Sequence, residues 1–272
     1  MTIVACTDFS EIAENSVNYA GIIAKITGSK LILYHSYTLP LHVSNTILPV
    51  TSFEKLINNT YHKLEKRAQS LSKLHDIEVV AECSFSGFED QLAFLIKKYR
   101  ATLLVMGMAR KSLEQDLLGN TTSSVIKNIK IPVFAVPGGV EFNEVKKILF
   151  ACDTPLLVPP SILKRIKKTA QNLGAEVEIL SIEEELNELE ANTTPNESFN
   201  NTDTYLEGIN YYYKNVRSNT VIETIKKEIQ NIQADILIMM PRQYGFWEAL
   251  VHRSKTRVMA SGLSIPLLSL PV

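Results

Sequence analysis

Short apolar runs alternate with longer amphipathic stretches along this chain. In the first half, the runs that we predict to be strands are Ile3–Cys6, Leu31–His35, Val79–Cys83, Thr102–Met106 and Val133–Val136. They are mostly hydrophobic without polar alternation, which is typical of strands covered by helices on both faces. Strands and helices that alternate in this rhythm predict a doubly wound α/β fold with a parallel sheet.

The stretch after the first strand has the period of an amphipathic helix. Ser10 is a suitable N-cap residue at its start, and Gly28 lies where the helix is predicted to stop. The face that should be buried has the i, i+3, i+4, i+7 spacing. Its members are Val17, Ala20, Gly21 and Ala24. A long charged helix is predicted later, at about 53–74.

Two segments are predicted to lie outside the strands and helices. Thr38–Ser52 contains prolines but also several apolar residues, so we expect it to pack against another surface. Asn187–Gly208 is rich in Asn, Thr and Glu, and we expect it to be a mobile surface insertion.

The second half of the chain repeats the first in order. Ile148–Asp153 echoes Ile3–Asp8, Ala234–Met240 echoes Ala101–Gly107, and Ile265–Pro271 echoes Ile131–Pro137. Three matches in the same order indicate a duplicated domain rather than chance similarity. A glycine pair at 138–139 is a natural linker, so we predict domains at 1–139 and 140–272.

Composition and charge narrow the possible partners and the compartment. The chain has 272 residues with 28 Lys and Arg against 29 Asp and Glu, so its net charge is −1. This balance gives no basic field for nucleic acid or an anionic membrane. No stretch approaches the ~20 apolar residues of a membrane span. The three cysteines are far apart, which favours a reducing cytosol over a disulfide framework.

The stretch Gly107–Val125 carries the candidate chemistry. It leaves the fourth strand through Gly107, crosses a polar segment and enters a predicted helix through Gly119. Backbone N–H groups at a helix N-terminus favour anions such as phosphate. The alternative is that both glycines serve only the turn and the helix start.

Enzyme and metal signatures are missing from the sequence. It contains no G-x-x-x-x-G-K-[ST], no G-x-G-x-x-G after the first strand, and no G-x-S-x-G. The five histidines show no metal-ligand spacing with Cys or carboxylates. We therefore nominate no catalytic residue and no metal ligand, and we expect a binding protein rather than an enzyme.

Three segments resemble the universal stress protein family. These are Thr7–Glu11 after the first strand, Gly107–Val125, which is similar to that family's G-x2-G-x9-G-[ST] loop, and Pro132–Val133 before the fifth strand. The resemblance implies two tandem five-stranded parallel sheets in strand order 3-2-1-4-5. It also implies that the two fifth strands meet in an intrachain pseudo-dimer, and it raises the expectation of a homodimer.

The resemblance further implies an adenine-nucleotide site, for ATP with Mg²⁺ or for AMP, and we expect it in the first domain only because the second half departs further from the family pattern. The implied nucleotide-binding residues are Thr7, Asp8, Ser36, Gly107, Gly119, Asn120, Thr121 and Thr122. We add Arg110 to this set, because its side chain offers a cationic contact to a phosphate. The aspartate and the end of the second strand would hold adenosine, and the glycine segments would hold the phosphates.

This chain departs from the family pattern in both halves. Arg110 replaces the second glycine, Asn120 replaces a Ser or Thr, and the loop is one residue shorter. In the second half, Met240–Arg242 and His252–Lys255 replace the two glycine segments, so phosphate binding is not expected there.

The sequence is compatible with three functions. The first is a cytoplasmic stress-response regulatory protein that binds an adenine nucleotide in domain 1. The second is a nucleotide-independent adaptor that binds another ligand or an unknown protein partner. The third is a slow ATPase, for which no water-positioning group is identified.

Overall fold

The computed structural model describes residues 1–37, 50–85, 87–108, 120–152, 155, 158–183, 200–241 and 263–271. The chain divides into two compact units. One comprises Met1–Ala109 and Ile131–Glu141, and the other comprises Arg110–Lys130 and Phe142–Val272. The domain limits 1–139 and 140–272 stay a prediction. None of the helices in the described ranges combines the length and the apolar character that crossing a membrane requires.

The first unit contains a five-stranded parallel sheet. Its strands are β1 (Thr2–Cys6), β2 (Lys30–Ser36), β3 (Val79–Ser84), β4 (Leu103–Met108) and β5 (Val133–Pro137). They lie in the order β3-β2-β1-β4-β5. The predicted fold class and strand order are confirmed for this half.

Helix α1 (Glu11–Thr27) follows the local rules that predicted it. The Ser10 hydroxyl accepts a hydrogen bond from the Ala13 backbone N–H at 3.3 Å, as an N-cap should. Gly28 ends the helix in the left-handed conformation, with φ of 58°. All four residues of the predicted apolar face are buried.

Helices α2 (Val50–His75) and α3 (Phe88–Tyr99) complete the described helices of the first unit. Because α2 begins at Val50, the last three residues of the predicted loop at 38–52 are helical, and residues 38–49 lie outside the described ranges. The fourth strand also runs further than predicted. Gly107 is not a loop residue, because it lies inside β4 and opposite Val136 of β5.

The second unit repeats the topology of the first. Its strands are β6 (Lys147–Cys152), β7 (Glu176–Glu183), β8 (Tyr211–Arg217), β9 (Ile236–Met239) and β10 (Leu267–Ser269), in the parallel order β8-β7-β6-β9-β10. Its described helices are α4 (Asn120–Asn128), α5 (Pro160–Leu173), α6 (Asn200–Leu206) and α7 (Val221–Ile232). Both halves therefore have the strand order 3-2-1-4-5.

The predicted surface insertion is partly an ordered element. Helix α6 lies within it, and Leu206 at the end of this helix is completely buried. Asp203 Oδ1 accepts hydrogen bonds from the Tyr211 hydroxyl at 2.9 Å and the Tyr213 hydroxyl at 3.0 Å. The prediction of a surface insertion is wrong for Leu206, because this residue is completely buried, and Asp203 attaches the helix to β8. Residues 187–199 lie outside the described ranges.

Candidate functional site

The candidate site of the first unit lies at the carboxyl end of β1. This strand stands between β2 and β4, with Cys6 opposite Tyr34 and Ala5 opposite Val105. The strands that follow β1 lie on one side of it up to β3 and on the other side from β4 onwards, which makes β1 the switch point of the sheet. Open α/β sheets bind ligands in the crevice outside the carboxyl ends of the strands at such a point. Four of the implied site residues therefore share one edge of the sheet. They are Thr7, Asp8, Ser36 and Gly107.

Asp8 is an exposed carboxylate at this edge. Its Oδ1 accepts a hydrogen bond from the Ser10 backbone N–H at 2.9 Å. Partial burial alone would raise the pKa of Asp8, but the hydrogen bonds of Ser10 and the charge of His35 outweigh it and hold this pKa below its ordinary value. Asp8 is therefore ionised at neutral pH and can accept hydrogen bonds from a ligand.

Thr7 is buried and its side chain is used inside the protein. The hydroxyl donates to Glu14 Oε1 at 3.1 Å and accepts from the Phe9 backbone N–H at 3.0 Å. The Thr7 carbonyl accepts a hydrogen bond from His35 Nδ1 at 2.7 Å, so this ring nitrogen carries a proton. Thr7 thus supports the turn that presents Asp8, and its implied contact with a nucleotide stays a prediction.

Phe9 lies in the left-handed region, with φ of 63°. A bulky residue in this conformation is strained, and such strain persists only where surrounding contacts enforce it. The Phe9 ring packs against His35, with ring centroids 4.8 Å apart, and Lys63 Nζ lies 3.9 Å from the centroid of the Phe9 ring. His35 is buried and hydrogen-bonded.

Gly107 is a glycine for a packing reason. A Cβ at this position would lie 2.8 Å from Ile12 Cγ2 and 3.0 Å from the Ile12 carbonyl oxygen. A Cβ at Gly138 would lie 2.9 Å from Ile12 Cγ1. The first turn of α1 therefore fills the space that these two glycines leave. This observation favours the structural alternative for Gly107 over close approach of a phosphate.

Ser36 is the last residue of β2 and is half-buried. It lies opposite Ser84 in β3, next to the hydrogen bond of 2.7 Å that joins the Tyr34 hydroxyl to the Ser84 hydroxyl. The backbone N–H of Tyr37 donates to the Ser84 carbonyl, which continues the ladder beyond Ser36. Its role towards a ligand stays a prediction.

The remaining implied residues belong to the other unit or lie outside the described ranges. Arg110 and Gly119 are not among the described residues. Asn120 is the first residue of α4, Thr121 in its first turn is exposed, and Thr122 is buried.

The sequence did not predict the residues that hold the turn after β1. Arg67 of α2 donates from Nε to Glu14 Oε2 at 2.6 Å and from Nη2 to Asn18 Oδ1 at 2.6 Å. Glu14 and Arg67 are 53 residues apart, so no local pattern connects them. The only signal was that Glu14 lies near the start of α1, where an acidic residue is favourable.

The second unit has a different polar cluster, which lies in its interior. Glu178 of β7 and Glu228 of α7 are 2% and 4% exposed. Lys214 Nζ donates to Glu228 Oε1 at 2.6 Å, and Asn231 donates to Glu228 Oε2 at 3.3 Å. Burial, and then the charge of Glu228, raise the pKa of Glu178 above its ordinary value. The cluster thus holds a proton more tightly than an exposed glutamate would.

The remaining chemistry-bearing groups form no second site within the ranges that the structure describes. Among the described residues, no three His, Cys, Asp or Glu side chains converge to hold a metal ion. Cys6 is buried at the end of β1, and burial raises the pKa of its thiol to about 12. Its nucleophilic thiolate is therefore scarce at neutral pH.

Comparison with known proteins places this fold among relatives. The sequence model of the universal stress protein family matches residues 1–137. A search of curated proteins gave no match. The crystal structure of a universal stress protein from Archaeoglobus fulgidus DSM 4304 is similar with a TM-score of 0.70 and 14% identity, over 99% of this chain and 98% of that chain.

Two further structures are similar. A putative universal stress protein from Pseudomonas aeruginosa UCBPP-PA14 has a TM-score of 0.59 and 13% identity, over 99% of this chain and 92% of that chain. A universal stress protein in complex with cAMP has a TM-score of 0.40 and 22% identity, over 51% of this chain and 98% of that chain. At 14% and 13% identity, the likeness to the Archaeoglobus and Pseudomonas structures shows the fold alone.

Proposed function

Because this chain belongs to the universal stress protein family, we propose that it is a cytoplasmic regulatory protein that binds an adenine nucleotide, ATP or AMP, in its first domain. The observation that carries the proposal is Asp8. It is an exposed and ionised carboxylate at the switch point of the first sheet. Such a carboxylate can accept hydrogen bonds from the hydroxyl groups of a ribose.

The phosphates would be held by the stretch between β4 and α4. By its sequence, this stretch offers Arg110 as a cation, and it offers Gly119, Asn120, Thr121 and Thr122 as small or polar residues where a helix is predicted to begin. Mg²⁺ would reach the site with ATP, since no cluster of protein ligands for a metal exists among the described residues. Binding would change a surface that a protein partner or a second copy of the chain recognises.

Nucleotide-independent binding is the second candidate function, and Gly107 favours it. The space that its missing side chain leaves is filled by Ile12, so this glycine does not imply a phosphate. In that case Asp8 would accept hydrogen bonds from another polar ligand at the same edge.

We propose binding without catalysis. Within the described part of the site, Asp8 accepts a backbone hydrogen bond, and the Thr7 hydroxyl donates a hydrogen bond to the Glu14 carboxylate of α1. No activated nucleophile with an adjacent base is formed there. A slow ATPase would require a group that orients water, and phosphate release with turnover would reveal it.

The test begins with the purified protein. It is denatured, and the supernatant is analysed by chromatography for adenine nucleotides. The thermal unfolding midpoint is then measured with and without millimolar ATP and Mg²⁺. We expect released nucleotide or a raised midpoint, because a ligand that binds only the folded state stabilises it.

Two matched variants connect the result to the site. Asp8→Asn removes the carboxylate after the first strand of domain 1, and Asp153→Asn removes its repeat counterpart in domain 2. We expect Asp8→Asn to abolish the effect of ATP and Asp153→Asn to preserve it. A wild-type protein that carries no nucleotide and does not respond to ATP would contradict the proposal. Equal losses in both variants would contradict its restriction to domain 1.

A further inference from the structure

We propose that Arg67 and Glu14 are positioning residues for the turn of residues 7–10, which we call the first-strand turn. They fix the direction in which Asp8 faces the ligand without touching the ligand. The ligand part of this inference rests on the proposed function. The orientation of Asp8 itself does not, and it can be measured in the protein without a ligand.

The connection from α2 to the turn is a continuous chain of hydrogen bonds. Arg67 Nε donates to Glu14 Oε2 at 2.6 Å, and Glu14 Oε1 accepts from the Thr7 hydroxyl at 3.1 Å. The same hydroxyl accepts from the Phe9 backbone N–H at 3.0 Å. Both carboxylate oxygens of Glu14 are thus used, one by the helix α2 and one by the turn.

Arg67 is itself held in one orientation. Its Nη2 donates to Asn18 Oδ1 at 2.6 Å, one helical turn beyond Glu14 on α1. Its side chain is 22% exposed and that of Glu14 is 29% exposed, so both are partly shielded from water. A guanidinium with two fixed partners orients a carboxylate better than a flexible ammonium does.

The turn needs such support because of Phe9. Its φ of 63° is unfavourable for an aromatic residue, so the turn relaxes unless other contacts hold it. The hydrogen bond from the Phe9 N–H to Thr7 is one such contact. The second is Lys63 Nζ, 3.9 Å from the centroid of the Phe9 ring.

Helix α2 supports the first-strand turn at two points from one face. Lys63 and Arg67 are four residues apart, so they lie on the same side of this helix. Lys63 contacts the ring of Phe9, and Arg67 orients Glu14, which accepts the hydrogen bond from Thr7. A change in the position of α2 would therefore change the first-strand turn, although α2 carries none of the implied nucleotide-binding residues.

The test compares Arg67→Met with two other variants of the full-length protein. Arg67→Lys keeps the charge, and Lys98→Met removes a comparable ion pair of the same unit, Lys98 with Glu82 at 2.7 Å. NMR titration of the Asp8 carboxyl group measures its pKa, and the dissociation constant of ATP with Mg²⁺ measures the site. Neither quantity responds to a loss of stability alone.

We expect Arg67→Met to raise the Asp8 pKa towards its ordinary value, because a relaxed turn weakens the hydrogen bond from the Ser10 N–H. ATP should bind about 10-fold more weakly, which equals about 1.4 kcal/mol. Arg67→Lys should recover part of both effects. Lys98→Met should leave both unchanged. Asn18→Ala removes one partner of Arg67 and should shift the Asp8 pKa and the ATP affinity in the same directions by smaller amounts. This variant replaces Arg67→Met in the test if Arg67→Met does not fold.

The outcomes separate this inference from the proposed function. If the variants change only the unfolding midpoint, and leave the Asp8 pKa and ATP affinity as in the wild type, the positioning role is overturned. If the Asp8 pKa rises but the wild type does not bind ATP, the positioning role stands and the proposed function fails. If the wild type does not bind ATP and the Asp8 pKa is unchanged in every variant, both are overturned.

Discussion

The ends of the fourth strands differ between the two units, although both sheets have the same strand order. In the first unit this position is Gly107, and Ile12 of α1 fills the space where a side chain would be. In the second unit the repeat counterpart is Met240, which follows β9 and is 8% exposed. The sheet therefore does not need a glycine there. The glycine is required by the close approach of one particular helix.

The two units also place their charged groups differently. The first unit has an ionised and exposed carboxylate, Asp8, at the carboxyl edge of its sheet. The second unit encloses Glu178 and Glu228 between β7, β8 and α7. A carboxylate at a strand end can meet a ligand, whereas a buried carboxyl pair affects mainly folding stability. The restriction of the ligand site to the first domain stays a proposal.

The largest expected effect concerns Gly107. Gly107→Ala places a Cβ 2.8 Å from Ile12 Cγ2 and 3.0 Å from a backbone oxygen, so one of them must move. We expect a loss of about 1–3 kcal/mol in the free energy of unfolding. Urea denaturation measures it. A fully stable variant that loses only ligand binding would show that the glycine serves the ligand instead.

Gly138→Ala is the control for this substitution, because its Cβ would meet only side-chain atoms of Ile12. Adding Ile12→Ala should therefore relieve Gly138→Ala almost completely and Gly107→Ala only in part, after correction for the effect of Ile12→Ala alone. Equal relief in the two double variants would contradict the role given to the backbone oxygen.

The second prediction concerns the attachment of α6 in the second unit. Asp203→Ala removes the acceptor of two tyrosine hydroxyls, Tyr211 and Tyr213. We expect the free energy of unfolding to fall by about 1–3 kcal/mol and amide exchange in α6 to accelerate. Glu207→Ala, at an exposed position just after α6, is the control and should have little effect. Unchanged stability in Asp203→Ala would mean that this helix is not an integral part of the unit.

The third prediction uses the pKa shifts of Glu178 and Asp8, which have opposite directions. The pKa of Glu178 is raised in the folded protein, so its contribution to stability is present below about pH 4.5 and is lost as pH rises through its folded pKa. Glu178→Gln should match the wild type near pH 4 and be more stable than the wild type at pH 8. Urea denaturation across this range measures the difference.

Two substitutions sharpen the pH comparison. Glu176→Gln, on the same strand but half-exposed and 3.5 Å from Lys147, should leave the pH profile of stability nearly unchanged. Asp8→Asn should act in the opposite direction, because the pKa of Asp8 is lowered and its small contribution is lost as pH falls through that pKa. Identical profiles for Glu178→Gln and the wild type would refute the buried carboxyl pair as a source of pH dependence.

The smallest expected effect is a difference between the three cysteines in their rates of alkylation. Cys6 and Cys152 end the first strands of the two units and are both buried, whereas Cys83 is half-buried. Alkylation of the native protein at pH 8, followed by mass spectrometry, should modify Cys83 first. The other two should react only when the protein unfolds. Fast modification of Cys6 would contradict its burial and raised pKa.

Much of the fold follows from local patterns in the sequence. The five strands of the first sheet lie within two residues of their predicted bounds, and Ser10 and Gly28 delimit α1 as expected. These features depend on neighbouring residues, because capping, the left-handed end of a helix and apolar periodicity are local properties. The internal repeat extended the prediction to the second sheet.

The candidate site was only partly predictable. Asp8 could be singled out, because a polar residue directly after a buried strand lies at the sheet edge where ligands bind. The role of Thr7 could not, because its partner Glu14 is in turn oriented by Arg67, 53 residues away from Glu14. The strain at Phe9 has no signature in the residue type.

The sequence by itself determined the strands, the first helix and its ends, the duplication and the position of the candidate carboxylate. Only the tertiary structure decided that Gly107 makes room for Ile12, that Asp203 attaches α6 to β8, and that α2 supports the first-strand turn. The physical reason is the same in each case. These features depend on contacts between different helices and strands, and burial and hydrogen bonding select such contacts only after the elements have packed.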